Sequence, residues 1–230
     1  YFTAARKAFV ALATAAPGSG TERDGARSGR GTVEPGSGDG ILSRPGSLIH
    51  HWRGETFLAN VTLDRAISVS QAYADYPRIF KPIRAATVLP STAPDAFHLL
   101  FRMKGSGGGL SGTLDVRSRI QWVRVDERRA YVVSVAEEVR EVANAGKPNE
   151  RLLPEGHESG YLWRAATMTR FVADAGGLWM VMETVGLSRP FPPVVGWLIE
   201  PIARRVGRGS VEDSMKEFAQ ALEDRGKLAP

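Results

Sequence analysis

The chain has 230 residues, 43% of them hydrophobic and 24% charged; these fractions are close to globular averages and exclude wholesale disorder, collagen-like repeats and a coiled coil. Its length suits one domain with an appendage, or two very small domains. The absence of Cys excludes disulfides, thiolate metal sites and cysteine nucleophiles, and a net charge of +5 is too mild to argue for nucleic acid as a partner.

The first sixteen residues predict a surface amphipathic helix. The apolar run from Ala8 to Ala16, which follows Arg6-Lys7, also resembles the end of a secretory signal. We favour the helix because a row of small alanines makes a weak apolar core for a signal. The residues that recur at helical spacing are Phe2, Ala5, Phe9 and Leu12.

From Pro17 to Gly46 the chain is almost all Gly, Ser, Pro, Arg and acidic residues. This composition cannot bury enough apolar surface to offset the entropy of ordering, so it predicts a flexible linker. Its mixed charges argue against a basic arm that binds nucleic acid. The predicted organisation is therefore a helix or signal remnant over 1–16, a linker over 17–46 and one folded domain over 47–225.

The folded domain begins with a strand and two short helices. Ser47 to Ala59 predicts a strand, and Thr62 offers an N-cap for a helix over Leu63 to Ala74. Pro77 breaks that helix, and Arg78 to Lys81 predicts a second short turn.

Six more strand-like runs follow, with turn-forming residues between most of them. Short turns between successive strands predict antiparallel pairing, because parallel strands need longer crossover connections. Together with the first strand they predict a sheet of seven strands. The six runs are 83–90, 96–104, 112–125, 130–142, 159–172 and 178–188.

The end of the chain is predicted to be helical. Pro192-Pro193 suits a helix start, and Val194 to Val206 carries apolar residues on one side. Gly207 and Gly209 interrupt this stretch, and Ser210 caps a second one. The second stretch needs an apolar surface to cover, and one face of the sheet is the large candidate. Its apolar stripe consists of Val211, Met215, Phe218 and Leu222.

The predicted order, one strand, two short helices, six strands and a long helix, resembles the helix-grip fold. This is the START-like, Bet v 1-like superfamily, also called SRPBCC, of hydrophobic-ligand-binding and polyketide-cyclase-like proteins. The resemblance covers Ser47 to Glu223. The stretches that look like those of an uncharacterised bacterial subgroup are LIHHWRG (48–54), AGKPNE (145–150), GYLWR (160–164), LSRPFP (187–192) and GWLIEPI (196–202).

The resemblance implies an α+β fold in which a curved, seven-stranded antiparallel sheet wraps around a long C-terminal helix, with two short helices after strand 1. Members of the superfamily bind lipids, sterols, polyketides or hormones between the sheet and that helix. The resemblance therefore implies a START-like ligand-binding domain over 47–225, while the fold alone does not say which ligand it takes.

No complete catalytic or metal-binding set is found in the sequence. His50 and His51 are neighbours in a predicted strand, so their imidazoles point to opposite faces and cannot chelate one ion locally. The Gly-rich segment 105–112 continues as a strand rather than a helix, which favours a hairpin turn over a phosphate cradle. A GxSxG elbow is absent as well. We predict no catalytic residues, no metal site and no cofactor.

Polar residues within the predicted strands have two interpretations. The simpler is that they occupy the face of a half-covered sheet that meets water. Glu183 shares its face with Trp179 and Val181, however, which makes it a candidate buried carboxylate with Arg164 or Arg170 as its partner. The sequence leaves open which strand parity faces inward. The full set is Arg102, Arg119, Gln121, Arg124, Glu137, Arg140, Arg164, Arg170 and Glu183.

Aromatic and polar residues on the strands and the last helix are the candidates for lining a ligand pocket. The predicted set is His51, Arg102, Trp122, Arg124, Tyr131, Trp163, Arg164, Trp179, Glu183 and Trp197. Separately, the basic segment from Arg204 to Arg208 either complements the helix dipole or attracts anionic lipid headgroups, which allows at most a peripheral membrane contact.

Three functions are consistent with these observations. The first is non-catalytic binding, and carriage, of a small hydrophobic or lipid-like molecule. The second is a cyclase or aromatase in which an Arg, Glu or His handles protons while the cavity shapes a poly-β-keto chain. The third is a domain for protein partners without a ligand. The oligomeric state stays open, and the linker and the start at Tyr1 favour an exported or cell-envelope protein.

Overall fold

A computed structural model describes residues 1–14, 31–91, 93, 95–107, 110–154, 157–159, 162–190 and 196–228, with the side chains of 106–107, 110–111, 196–199 and 225–228 left aside. The helices are α1 (Phe2–Thr14), α2 (Leu63–Gln71), α3 (Tyr76–Ile79) and α4 (Gly196–Leu228), with a 3-10 turn at Tyr73–Asp75. The strands are β1 (Thr32–Pro35), β2 (Ile41–Arg44), β3 (Ser47–Ala59), β4 (Ile83–Leu89), β5 (Ala96–Gly107), β6 (Leu110–Arg124), β7 (Arg129–Ala143), β8 (Arg151–Leu152), β9 (Arg164–Asp174) and β10 (Gly177–Ser188).

The strands form one antiparallel sheet in the order β1-β3-β10-β9-β7-β6-β5-β4, with β2 also paired to β3 and β8 to β7. The sheet has ten strands where the sequence predicts seven. The seven predicted strands are present, and the three others are only two to four residues long. Such short strands leave no alternating pattern in the sequence, because pairing with β3 or β7 is what orders them.

The prediction of a flexible linker is wrong from residue 31 onward, because this segment pairs with β3. Thr32 lies opposite Glu55, and Ile41 lies opposite His50, so β1 and β2 both belong to the sheet. Val33 and Ile41 bury enough apolar surface to hold this otherwise Gly-rich segment, being 9% and 6% exposed. The folded unit therefore begins before Ser47, while residues 17–30 lie outside the described part of the chain.

The helices after β3 follow the prediction closely. Thr62 is the N-cap of α2, and its side chain accepts a hydrogen bond from the Arg65 N–H at 3.3 Å. The helix ends at Gln71 rather than Ala74, and the 3-10 turn and α3 follow, with Pro77 in the first turn of α3.

α4 is one helix of 33 residues that continues through both glycines predicted to interrupt it. The predicted stripe is confirmed: Val211, Met215, Phe218 and Leu222 are 1–4% exposed. Burying it offsets the cost of about 1 kcal/mol that each glycine adds to a helix interior. We call the side of the sheet that contacts this stripe the inner face.

α1 covers the opposite side, which we call the outer face. Phe9 and Ala13 are 2% and 6% exposed and pack with Ile49, Met168 and Val185 of the sheet. Leu12, which the helical spacing of the sequence grouped with Phe9, is 54% exposed, because α1 presents Ala13 to the sheet instead. No helix within the described ranges is both long and apolar enough to cross a membrane.

Candidate functional site

Along five neighbouring strands, the described inner-face residues are charged only near the strand ends, at Arg124 of β6 and Glu141 of β7. Because side chains alternate across a strand, one residue in two of each strand belongs to this face, with the bulge at Glu137 shifting the alternation in β7. The core cluster under α4 and α2 contains members from each of the five strands, which fixes the parity. The inner positions are alternate residues of 97–103, 114–122, 130–136 with 139, 165–173 and 178–188, and all are apolar, Gly, Ser or Thr.

Part of this face is covered and part is half-exposed. α4 lies over β3, where Gly54 meets Val211 and Met215, and reaches β9, where Phe218 packs on Phe171. Other inner-face side chains border the core but keep accessible surface. The half-exposed apolar residues are Met103, Val132, Ala136, Val139, Leu162 and Met182. They form the surface that we call the candidate ligand surface.

Trp122 is the predicted pocket residue that lies firmly on the inner face. Its Nε1 donates to the Tyr73 hydroxyl at 3.0 Å, and its ring is parallel to that of Phe171, with centroids 6.2 Å apart. Burial raises the pKa of Tyr73 to about 12, so this hydroxyl stays protonated. Tyr76 packs beside Tyr73, donates to the Ser70 carbonyl at 2.6 Å, and also has its pKa raised by burial.

Alternation places six predicted pocket residues on the outer face, on the far side of the sheet from α4. They therefore do not line the space between sheet and α4. Tyr131 contacts Phe9 of α1 and lines an outer crevice of about 190 Å³ with Arg6 and Arg119. Trp179 packs on Phe57 and donates from Nε1 to Asp174 at 3.0 Å. The six are His51, Arg102, Tyr131, Arg164, Trp179 and Glu183.

The remaining three candidates lie elsewhere. Arg124 ends β6 and reaches α2, where its Nη1 lies 2.5 Å from Asp64 Oδ1. Trp163 precedes β9, is 38% exposed, and its backbone N–H donates to the Leu187 carbonyl. Trp197 is in α4, but its side chain is outside the described part.

Glu183 is a buried carboxylate as predicted, with a different partner. Its Oε1 lies 2.7 Å from His51 Nε2, where the sequence suggested Arg164 or Arg170. The side chains of His51 and Glu183 are 8% and 12% exposed. The Tyr1 hydroxyl lies 2.7 Å from the other imidazole nitrogen, so the beginning of the chain closes over this pair. The alternation of residues along a strand does not show which distant residues cover it, so the sequence could not predict that Tyr1 covers His51.

The polar strand residues mostly confirm the simpler interpretation of the sequence. Eight of the nine lie on the outer face, and only Arg124 does not. The guanidinium of Arg102 donates hydrogen bonds to the carboxylates of Asp115 at 2.8 Å and Glu150 at 2.7 Å. These bonds raise the pKa of Arg102. The Gly146 N–H and Arg102 lower the pKa of Glu150. The AGKPNE stretch is thus a turn held to the outer face.

His50 is an inner-face residue that the sequence offered as an alternative to His51 but that the predicted pocket set leaves out. Its Nε2 lies 2.8 Å from Ser188 Oγ at the end of β10. It is directly opposite Gly186, next to which Leu162 also packs. The alternation of His50 with His51 was visible in the sequence, but choosing between them required knowing that Trp52, two residues on, packs under α4. Burial lowers the pKa of His50 below its usual value of 6.5.

His50 predicts a pH dependence of stability. Because the folded state favours the neutral imidazole, the unfolded state binds the proton first as pH falls through 6.5, and stability is lost on the acid side. We expect His50→Gln to show a smaller loss of stability than the wild type between about pH 7.5 and pH 5. Urea unfolding across this range measures the two slopes; equal slopes would contradict the assignment.

The arginines of the basic segment of α4 differ in their contacts. Arg204 bonds Asp39 at 2.6 Å and Glu200 at 2.8 Å, so it ties α4 to the turn between β1 and β2. Arg205 and Arg208 are exposed, as is Ile202 at 43%. An anionic surface would therefore meet Arg205 and Arg208 rather than Arg204.

No protein-family model matches the sequence, and no curated protein matches it significantly. Solved structures do match. A STAR-related lipid transfer protein from Xanthomonas axonopodis is 15% identical over 80% of this chain and 99% of that chain, with a TM-score of 0.50. Human STARD10 is 11% identical over 84% of this chain and 77% of that chain, with a TM-score of 0.51. The Zhui aromatase/cyclase from a Streptomyces species is 13% identical over 77% and 95%, with a TM-score of 0.52.

These similarities show the fold. The chain has the α+β helix-grip fold that the sequence resemblance implied.

Proposed function

We propose that this protein binds and carries a small hydrophobic or lipid-like molecule between the inner face and α4. The observation that carries the proposal is the candidate ligand surface: half-exposed apolar side chains on a face whose charged residues, Arg124 and Glu141, lie near strand ends. Ligand pockets are mostly apolar with a few placed polar groups, and His50 with Ser188 supplies such a group here. The similar lipid transfer structure from Xanthomonas axonopodis supports this function.

A cyclase-type enzyme is the second candidate. The similar aromatase/cyclase structure favours it, and burial lowers the pKa of the inner-face His50, which keeps its imidazole in the neutral form that can accept a proton. Turnover of a poly-β-keto substrate that His50→Gln abolishes, with binding retained, would establish the enzyme. Binding without turnover would support the function of a ligand carrier instead.

Native mass spectrometry of the purified chain, followed by solvent extraction, tests the proposal directly. We expect a stoichiometric hydrophobic adduct that is lost on denaturation. A mass of the bare chain, together with no uptake from a panel of lipids and polyketides, would overturn ligand binding and favour a domain for protein partners.

Filling the candidate ligand surface is expected to block binding. Ala165 is a half-exposed inner-face residue opposite Gly186, so Ala165→Trp places an indole where the ligand would lie. We expect the affinity for an adduct-derived ligand to fall at least about tenfold, which corresponds to about 1.4 kcal/mol.

The adjacent residue supplies the control. Arg164 is exposed and on the outer face, so Arg164→Trp adds the same ring on the other side of the sheet and should leave affinity unchanged. Equal affinities of both variants, with unchanged melting temperatures, would place the ligand elsewhere.

A further inference from the structure

The crevice of about 190 Å³ on the outer face, which we call the outer crevice, lies between α1 and the strands β6 and β7. Its floor is built from three pairs of directly opposite residues that follow one another on this face of the two strands. The floor is apolar along β7, while β6 adds one cation and one amide. The pairs are Arg119 with Val135, Gln121 with Val133, and Val123 with Tyr131.

α1 forms the wall of the outer crevice. The residues of α1 that line it, Arg6 and Val10, are about one helical turn apart and therefore share a side of the helix. Phe9, the neighbour of Val10, is 2% exposed and packs edge-on against Tyr131, with ring centroids 6.4 Å apart. Arg129 donates to the carbonyl of the last residue of α1 at 3.1 Å. These contacts fix the wall relative to the floor.

Two arginines supply the positive charge of the outer crevice. Arg119 Nε lies 3.2 Å from Glu137 Oε1, so this cation is partly compensated. Arg6 is exposed, and among the residues that the structure describes it forms no ion pair. Gln121 adds no further donor, because its amide nitrogen donates to two backbone carbonyls. The crevice therefore combines an apolar floor with an excess of positive charge at its rim.

This combination limits the chemistry of an occupant. The apolar floor favours a ring or a short hydrocarbon chain, and the planar guanidinium groups match a carboxylate, which an arginine binds through two parallel hydrogen bonds. Drug-sized ligands fill pockets of about 300–1,000 Å³, so the outer crevice takes a smaller molecule. A bare anion would leave the valines of the floor uncovered, and a neutral hydrocarbon would leave Arg6 without a counter-ion.

We propose that the outer crevice is a second binding site, which takes a small carboxylate with an apolar body, such as an aromatic acid. Arg6 and Arg119 bind the carboxylate. Val10, Val133 and Val135 contact the apolar body. Because such a ligand touches both α1 and the sheet, it also ties the N-terminal helix to the rest of the fold. The site goes beyond the proposed function, since a molecule under α4 lies on the other side of the sheet.

Benzoate and benzamide test the site, because they share the same ring and nearly the same size but differ in charge. Each is titrated into the full chain labelled with nitrogen-15, and the backbone amide signals are followed by NMR. We expect saturable shifts from benzoate in residues 6–10, 119–123 and 131–135. Benzamide should bind about tenfold more weakly, because it offers no charge to the arginines.

Arg6→Gln should weaken the binding of benzoate about tenfold, since it removes the cation that has no ion pair within the protein. Gln is a good helix former, so α1 is kept. The matched control is Lys7→Gln, which removes the same charge from the next residue, outside the lining of the crevice, and should leave the affinity unchanged. Ala165→Trp, which fills the candidate ligand surface, should leave it unchanged as well.

The outcomes separate this site from the proposed function. Equal affinities for benzoate and benzamide, equal losses in the Arg6 and Lys7 variants, or shifts confined to residues of the inner face would each overturn the second site. The absence of saturable shifts would overturn it too. All of these results leave a ligand between the sheet and α4 intact. Benzoate bound in the outer crevice of a chain that takes up no lipid or polyketide would instead overturn the proposed function alone.

Discussion

Phe171→Ala is expected to lower the free energy of unfolding by about 3–5 kcal/mol, the range for deleting a large buried aromatic side chain. Phe171 is 1% exposed and lies between Trp122 of the sheet and Phe218 of α4, with ring centroids 6.2 Å and 6.0 Å away. Removing it takes away both ring contacts and leaves a cavity where α4 is attached to β9. Urea unfolding measures the loss.

The next residue on the same strand is the control for Phe171. Val172 is half-exposed and belongs to the outer face, so Val172→Ala removes apolar atoms without opening a cavity under α4. We expect a much smaller loss of stability for this variant. Similar losses for the two variants would mean that the contact between α4 and β9 is not a principal source of stability.

Gly207→Ala and Gly209→Ala are expected to change stability in opposite directions, although both replace a glycine in the same helix. A Cβ at position 207 would lie 2.4 Å from Trp52 Nε1, closer than such atoms approach. The indole has little room to move, because Gly40 also lies close to it: a Cβ built at Gly40 would be 2.3 Å from the ring. Such overpacking costs about 1–3 kcal/mol, which exceeds the helix-propensity gain of about 1 kcal/mol.

Position 209 has no such neighbour. Nothing lies within 4 Å of a Cβ built there, so Gly209→Ala should gain about 1 kcal/mol of stability from helix propensity alone. Thermal and urea unfolding of the two variants give the comparison. A stabilised Gly207→Ala variant would show that α4 is able to shift away from Trp52, and would place the close contact in doubt.

Most charged side chains of the sheet lie on its outer face, and this distribution bears on the proposed function. The polar pairs of the strands, such as Arg102 with Asp115 and His51 with Glu183, lie on the outer face. Away from Arg124 and Glu141 near the strand ends, the inner face carries apolar and hydroxyl side chains, with His50 at one end. An apolar molecule held there would meet no desolvated charge, which is the condition for holding it without a large electrostatic penalty.

Much of the fold could be predicted from local patterns. The bounds of β3 were predicted to the residue, and the N-cap at Thr62 and the stripe on α4 were also identified. These features depend on the alternation of side chains, on capping chemistry and on helical periodicity, all of which act over a few residues. The short strands β1 and β2 were missed because their order comes from pairing with β3, not from their own composition.

The site was predicted less well, for a different reason. Alternation establishes that His50 and His51, or Thr184 and Glu183, point to opposite faces, and this much is determined by the sequence. It does not establish which face α4 covers, because that depends on contacts such as Gly207 against Trp52 between distant parts of the chain. The sequence by itself therefore determined the elements and the helix-grip order, while only the tertiary structure decided that His50 lies on the inner face and that His51 and Glu183 lie on the outer face beside Tyr1.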